Sequence, residues 1–272
     1  MPELPEVETT RRGLEPHCTG RRLISMRVRE PRLRWRIPAS DPPRVAGRRI
    51  ESLGRRGKYL LFRLEGGMTM LLHLGMSGSV RVVGPSQMLL AHDHIDFELD
   101  SGERLRFNDP RRFGSLHITA EPPEQHPLLS SLGPEPLGEG FTGLYLHKVA
   151  SGRRVAIKNL IMDSRVVVGI GNIYATEALY QAGIHPARAA GRIACKRLEH
   201  LVTCCRAILA DAIAVGGTTL RDYINSNGVP GYFQQTLCVY GRGGERCRGC
   251  GRTLKEIRLG QRATVYCPRC QH

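Results

Sequence analysis

Apolar and polar residues alternate through much of the first half of the chain. Ile24, Met26 and Val28 alternate with Ser25, Arg27 and Arg29. The same period of two runs through Leu60-Phe62-Leu64, Met68-Met70-Leu72-Leu74, Val80-Val82, Ile95-Phe97-Leu99, Leu105-Phe107 and Leu116-Ile118. A strand sends successive side chains to opposite faces, so each run reads as a strand with one face turned to a core. Short strands at this spacing, parted by Gly and Pro turns, predict a β-sandwich or barrel. A helix over about residues 5–15 precedes them, with Leu4, Val7 and Leu14 on one face. No Walker loop or dinucleotide fingerprint interrupts the strands.

The period changes beyond residues 121–143, a stretch rich in Pro and Gly (Pro122-Pro123, Pro127, Gly133-Pro134, Pro136, Gly138, Gly140) that reads as a linker or hinge. Segments near 155–163, 172–182 and 195–215 take the helical period. The last carries Leu198, Leu201, Val202, Cys205, Ile208, Leu209, Ala212 and Ile213 on one stripe. The pattern predicts an α+β multidomain chain: a β-sandwich with flanking helices over 1–130, a helical domain over 131–236 and a ribbon over 237–272.

Nine cysteines sharpen the last part. Cys18, Cys195, Cys204, Cys205 and Cys238 follow no disulfide-like spacing and read as reduced thiols. Cys247, Cys250, Cys267 and Cys270 form two C-x2-C pairs sixteen residues apart. Each pair can bite a metal from one tight turn, so one structural Zn2+ in a four-Cys ribbon is expected. Residues 241–272 hold eight basic and two acidic residues, which aims the ribbon at a polyanion. The whole chain, with 40 basic and 25 acidic residues and a net charge of +15, points the same way. No apolar run is long enough for a membrane span, and the N-terminus carries charge where a signal peptide would be apolar. A cytosolic, monomeric protein is expected. Only five lysines accompany the many arginines. Lys can be tuned to give up its proton whereas Arg cannot, although genome composition explains the bias equally well.

The first eight residues, Met-Pro-Glu-Leu-Pro-Glu-Val-Glu, make sense if the terminus is a reagent. A small residue after Met is the usual condition for removing the initiator, which would leave Pro2 with a free secondary amine. An α-amino group titrates near pH ~8, so part of it is unprotonated at neutrality and able to attack an electrophilic carbon. Glu3 and Glu6 lie close by as proton carriers. The alternative is that Pro5 opens a helix and Glu6 and Glu8 complement its dipole.

Met-Pro-Glu-Leu-Pro-Glu-Val-Glu-Thr resembles the N-terminus of the bacterial formamidopyrimidine-DNA glycosylases. The resemblance continues in His-Leu-Gly-Met-Ser-Gly (73–78), Asp-Pro-Arg-Arg-Phe-Gly (109–114), Gly-Ile-Gly-Asn-Ile-Tyr (169–174) and the C-terminal cysteines. It implies a helix–two-turn–helix DNA clamp in the helical domain and damaged double-stranded DNA as the partner. The implied activity is base-excision repair: release of 8-oxoguanine and formamidopyrimidines, then β,δ-elimination at the abasic site. The resemblance makes Pro2 the Schiff-base nucleophile and Glu3 the acid/base, with Glu6 setting the site's geometry against DNA. By the same resemblance Lys58 is expected to reach the damaged nucleotide and its phosphate, and Arg262 to clamp a phosphate beside the lesion. His92, Arg153 and Asn172 match the family's backbone-phosphate contacts. Met76, Arg111 and Phe113 match the trio expected to fill the space left by the extruded nucleotide, with Arg111 facing the orphaned base.

Some residues speak for these roles unaided. Met76 lies in a Gly-rich turn and Phe113 follows polar and charged residues after Pro110. Apolar residues in exposed turns suit insertion into a base stack. Core packing is the other explanation. Gly169-Ile-Gly171-Asn172 opens a helix with Asn as N-cap, and its two glycines allow a phosphate to approach. For Lys58, His92, Arg153 and Arg262 the alternative is a solvated charge. The Gly-rich stretch 216–232 matches a lid over the extruded purine, which favours this branch over the endonuclease VIII branch acting on oxidised pyrimidines. Lys158-Asn159-Leu-Ile-Met-Asp163 and Ser164-Arg165 depart from the family pattern and are expected to stay clear of the chemistry. A non-enzymatic zinc-ribbon DNA-binding protein would share the charge and the cysteines but not the need for Pro2-Glu3.

Overall fold

The computed structural model describes residues 2–216 and 237–272. The lid expected over 216–232 therefore lies, but for Gly216, outside the described residues. The chain forms two compact units, one reaching to Ser130 and the other built from Ser131–Ala214 and the stretch that ends at His272.

The first unit opens with helix α1 (Leu4–Cys18) and the strand β1 (Leu23–Val28), then a short helix α2 (Asp41–Val45). Seven strands follow: β2 (Ile50–Arg56), β3 (Tyr59–Leu64), β4 (Met68–His73), β5 (Ser79–Val83), β6 (Asp93–Leu99), β7 (Arg104–Asn108) and β8 (Ser115–Thr119). The unit closes on the single turn α3 (Pro127–Ser130). The strands make two four-stranded sheets, ordered β1-β6-β7-β5 and β2-β3-β4-β8, antiparallel throughout. Their apolar faces share one core. Leu60, Phe62, Leu64, Met70, Leu72 and Leu116 from one sheet meet Val80, Ile95, Phe97, Leu99, Leu105 and Phe107 from the other. The Phe62 and Phe97 rings stack at 6.3 Å. Val7, Leu14 and Cys18 of α1 join the same core. The sandwich expected from the period of two is the observed fold.

Strand β1 departs from the expected phase. Ile24 is 48% exposed while Leu23 is buried. The register shifts between Leu23 and Ser25, and the extra residue of such a bulge turns the side chains before it onto the opposite face.

The outer face of the first sheet is charged but covered. Arg106, 1% exposed, is held by both Asp96 oxygens at 2.8 and 3.1 Å. Its other amino group donates to the Gln87 and Met88 carbonyls. Arg104 and Asn108, on the same side of β7, donate to the carbonyls of Pro85 and Ala91. One row of β7 side chains thus fixes the loop that leads into His92.

The second unit holds α4 (Gly143–Ala150), α5 (Ile157–Met162), α6 (Asn172–Gln181), α7 (Cys195–Ala214) and the hairpin β9 (Lys255–Leu259) and β10 (Arg262–Tyr266). The expected stripe of α7 is buried throughout. Helix α4 was not expected, because it begins where the Pro- and Gly-rich stretch ends. Thr142 caps it by accepting the Tyr145 amide at 3.1 Å. The next helix is shorter than the expected 155–163. Glu177 of α6, 1% exposed, accepts the amides of Cys238, Val239 and Tyr240 at 2.8, 2.8 and 2.7 Å. That carboxylate anchors the segment entering the ribbon. Among the described residues no helix is long and apolar enough to cross a membrane.

Candidate functional site

Pro2, Glu3 and Glu6 are buried at the head of α1, where Glu3 is the N-cap. The Glu6 carboxylate reaches back to accept the Glu3 amide at 2.8 Å, as in a capping box. Glu8 differs from these two. Burial works against its charge, but hydrogen bonds from Arg11, Arg12 and Arg55 outweigh that and hold the carboxyl below its ordinary range. The opening motif therefore divides: Glu8 ties α1 to β2 through Arg55 at 3.1 Å, whereas Glu3 and Glu6 stay beside Pro2.

Lys58 sits with Gly57 in the two-residue turn between β2 and β3, where Arg56 pairs Tyr59. Gly57 takes φ +55, the left-handed residue that a tight hairpin turn requires. Across the sheet Tyr59 pairs His73, their rings 4.7 Å apart. Burial, with the nearby Lys58 and Arg34 cations, pushes His73 down to about 4. Its Nδ1 accepts the Gly75 amide at 3.0 Å. A neutral ring whose Nδ1 accepts carries its proton on Nε2, so His73 can only donate from that atom.

The Met76 loop and the Arg111–Phe113 turn are one assembly. Gly75, at φ +70, packs so close that a Cβ there would stand 2.4 Å from the Gly114 nitrogen. Asp109, 0% exposed, joins both: its carboxylate accepts Ser77 Oγ at 2.9 Å and the Gly114 amide at 2.8 Å. The Asp109 amide donates to the His92 carbonyl at 3.1 Å, so the His92 corner hangs from the same residue. Phe113 is 44% exposed and Arg111 lies over its ring at 5.0 Å. Met76 is half-buried, less open than a free turn residue.

In the second unit Asn172 is the first residue of α6 and Gly171 is the N-cap, not Asn172 as the sequence implied. The reason is a competing use of the side chain. Asn172 Oδ1 accepts Lys158 Nζ at 2.6 Å and its Nδ2 donates to the Ala263 carbonyl at 3.2 Å. Lys158, 0% exposed, also donates to Thr264 Oγ1 at 2.6 Å. Lys158, in the segment that departs from the family pattern, thus ties Asn172 to β10, the strand that begins at Arg262. Arg153 is exposed in the turn after α4, its carbonyl accepting the Gly191 amide.

Non-glycine residues with positive φ are three among those described: His92, Arg112 and Gln261. The first is a candidate contact, and the other two flank Arg111, Phe113 and Arg262. Such a conformation costs on the order of 1 kcal/mol or more, and it persists where the surroundings over-determine it. Strain and candidate site coincide at all three corners.

The four ribbon cysteines bring their Sγ atoms within 4.8 Å of one another. Cys247–Cys270 and Cys250–Cys267 are 4.0 and 3.5 Å apart. Thiolates at ~2.3 Å around a tetrahedral zinc stand about 3.8 Å apart, so the donor set fits that ion. The thiols also compete for charge. Against burial, the Tyr180 hydroxyl and backbone amides pull Cys247 down to about 6, while burial and the neighbouring thiols push Cys270 up to about 12. Four thiolates share this space only when a divalent cation neutralises them.

Comparison with known proteins decides the lineage. The models for the formamidopyrimidine-DNA glycosylase N-terminal domain, its H2TH domain and the zinc finger found in FPG and IleRS match residues 1–116, 132–224 and 244–272. The formamidopyrimidine-DNA glycosylases of Stutzerimonas stutzeri and Methylococcus capsulatus are 58% and 56% identical to this chain, each covering 100% of both chains. The chain belongs to the formamidopyrimidine-DNA glycosylase family. Solved structures agree with that membership. The MutM (Fpg) protein of Thermus thermophilus is 40% identical with a TM-score of 0.89, covering 99% of this chain and 98% of its own. The Lactococcus lactis Fpg in complex with DNA containing an abasic site is 32% identical with a TM-score of 0.91, covering 99% of each.

Three residues of this family member escaped the sequence reading: His73, Asp109 and Lys158. His73 and Asp109 stand inside motifs that carried the family resemblance, and that position was the available signal. Lys158 had only the scarcity of lysine to mark it. His73 has a testable consequence. Its folded form resists protonation down to about 4, whereas an ordinary His takes its proton near 6.5. Between those values the unfolded chain binds more protons, so stability should rise with pH across the window and be complete above it. The shift corresponds to at most roughly 3 kcal/mol, less for the part of the ring that water reaches. His73→Gln should flatten this stretch of a urea-unfolding series against pH. An unchanged slope would assign the dependence to another group.

Proposed function

We propose that this family member releases oxidised purines from duplex DNA through the amine of Pro2 and then cuts the abasic strand. The observation that carries the reading is the burial of Pro2 and Glu3 together at the head of α1 in a chain that matches the family end to end. With Met1 removed, the lone pair of the Pro2 nitrogen forms a bond to C1′ and the base leaves with the electrons of the glycosidic bond. Glu3 takes the N–H proton of the new C1′–N centre and gives it to O4′ as the nitrogen lone pair opens the C1′–O4′ bond, which gives the iminium. Loss of a C2′ proton then expels the 3′ phosphate, and the second elimination expels the 5′ phosphate. Glu6 holds the Glu3 backbone in place. Lys58 and the Nε2–H of His73 act on the phosphate next to the damaged nucleotide. His92, Arg153 and Asn172 hold further phosphates, and Arg262 clamps the one whose departure ends the reaction.

Met76, Arg111 and Phe113 occupy the gap in the stack, an exchange that offsets an unstacking cost of a few kcal/mol. Zinc bound by four thiolates has no open position and serves the fold of the ribbon. The β-sandwich over 1–130, the helical clamp over 131–236 and the ribbon over 237–272 divide the work, and the enzyme acts as a cytoplasmic monomer on damaged double-stranded DNA.

Borohydride trapping on duplexes carrying either 8-oxoguanine or an oxidised pyrimidine tests the chemistry and the substrate class together. Cross-linking to the purine duplex is expected. Preference for the pyrimidine would move the chain to the endonuclease VIII mode. Met76→Ala and Phe113→Ala should slow excision of an intact lesion about tenfold and cleavage of a preformed abasic site by much less, because only the former must extrude a stacked base. Equal losses on both substrates would mean that these side chains only pack the loop.

A further inference from the structure

The zinc ribbon carries a second set of cations at the end away from Arg262. Arg252, Lys255, Pro268, Arg269 and His272 line a cleft of about 530 Å³. Lys255 pairs Tyr266 at the open end of the hairpin, whereas Arg262 pairs Leu259 at the turn. The strand between them is about 13 Å long at ~3.3 Å per residue. Helix α6 gives the same ruler, with Asn172 bonded to Ala263 near the turn and Tyr180 touching Cys247 at the metal end. The cleft is therefore separate from the cluster of Asn172, Lys158 and Arg262.

The cations in it are uncommitted. Arg252, Lys255 and Arg269 are exposed and take part in no ion pair among the described residues. Arg11, Arg12 and Arg55, by contrast, are held together on Glu8. The two acidic side chains of the ribbon are turned elsewhere. Glu245 pairs Arg242, and Glu256 follows Lys255 on β9 and so faces the other side of the strand. The metal site fixes the backbone of the set. Arg269 lies inside the Cys267–Cys270 knuckle, and the Arg252 carbonyl accepts the Cys247 amide at 2.8 Å.

Pro268 is the one apolar lining residue. Protein partners are held by aromatic and aliphatic anchors in the middle of an interface, and this cleft offers none. Arginine forks on a rigid turn suit phosphodiester oxygens. The geometry points to a second DNA-backbone site at the zinc end of the ribbon, which takes phosphates other than those held near Arg262. It rests on the DNA-repair reading above. The phosphates come either from the same duplex farther from the lesion or from a second duplex segment.

The test compares wild type with R252A/K255A/R269A and with the charge-keeping R252K/R269K. Zinc content is measured, together with the salt dependence of affinity for a short lesion duplex and a long one, and capture of a second duplex by the short complex. Each phosphate contact contributes about 0.9 to the slope of log affinity against log salt, so the triple variant should lose about 2 to 3 and the Lys variant almost nothing. A loss seen only with the long duplex assigns the site to the same molecule of DNA. A loss seen as failure to capture the second duplex assigns it to another. Equal slopes and equal capture in wild type and triple variant overturn the site. Should the triple variant shed zinc, Lys255→Ala, outside both knuckles, should by itself lower the slope by about 1, and an unchanged slope there overturns the site as well. Borohydride trapping on the short duplex separates the two levels. Trapping retained with equal slopes discards only the second site, whereas absent trapping discards the repair reading.

Discussion

A preparation in which every chain keeps Met1 ahead of Pro2 should lose base release and strand cleavage together, by about a thousandfold or more, the scale seen when the nucleophile of a covalent mechanism is removed. Its affinity for a lesion duplex should change little. The asymmetry follows from the bond itself. In the blocked chain the Pro2 nitrogen belongs to an amide, whose lone pair is delocalised and cannot form an iminium. The proposed phosphate contacts at Lys58, His92, Arg153, Asn172 and Arg262 are untouched. Glu3 still caps α1 and Glu6 still accepts the Glu3 amide. The measurement is intact mass, to establish the state of the terminus, beside borohydride trapping and equilibrium binding. Robust cross-linking by a fully blocked preparation would remove Pro2 from the chemistry.

The second large effect is expected from zinc. Chelation, or Cys247→Ser, should abolish duplex binding and activity together while the β-sandwich of the first unit stays folded. The ribbon's own core is small, with Val239, Leu254 and Val265 packed beside the cysteines. So little apolar area cannot order some thirty residues, whereas structural zinc contributes on the order of 10 kcal/mol or more. Loss of the metal frees the turn that carries Arg262 and breaks the contacts of Lys158 with Ala263 and Thr264. Arg262→Ala separates the layers. It should keep full zinc, weaken binding modestly and depress the second elimination, because one charge-assisted phosphate contact is gone. Zinc content, affinity and product distribution for the three proteins decide the matter. Full zinc with unchanged affinity and products in Arg262→Ala would make it a solvated charge.

What could be read in advance followed the range of the interactions. Strands such as Leu60-Phe62-Leu64 were legible because a period of two is local. Strand β2 was not, since its apolar residues Ile50 and Leu53 stand three apart across a register shift. The same kind of shift inverted Ile24. Helix α4 hid behind its Gly start and the prolines before it. At the site, the C-x2-C pairs and the terminal Pro-Glu are patterns in a few consecutive residues. Asp109 and Lys158 owe their roles to partners 32 and 106 residues away, which no local period encodes. Asn172 was found, but the N-cap reading of it failed for the same reason, since its side chain bonds Lys158 and Ala263, 14 and 91 residues away.

The grip of Glu177 on the amides of residues 238–240 makes zinc loss a local event. A chelator competes for sulfur and leaves a carboxylate–amide anchor alone. Cys247 lies seven positions after Tyr240. A slack leash of that length reaches about 15 Å, which confines the freed Cys247 thiol at millimolar effective concentration beside α6. Returning metal thus re-closes a tethered loop and does not have to recruit a distant tail. The helices need not refold, and the ribbon can follow the supply of zinc on a timescale set by its own short search.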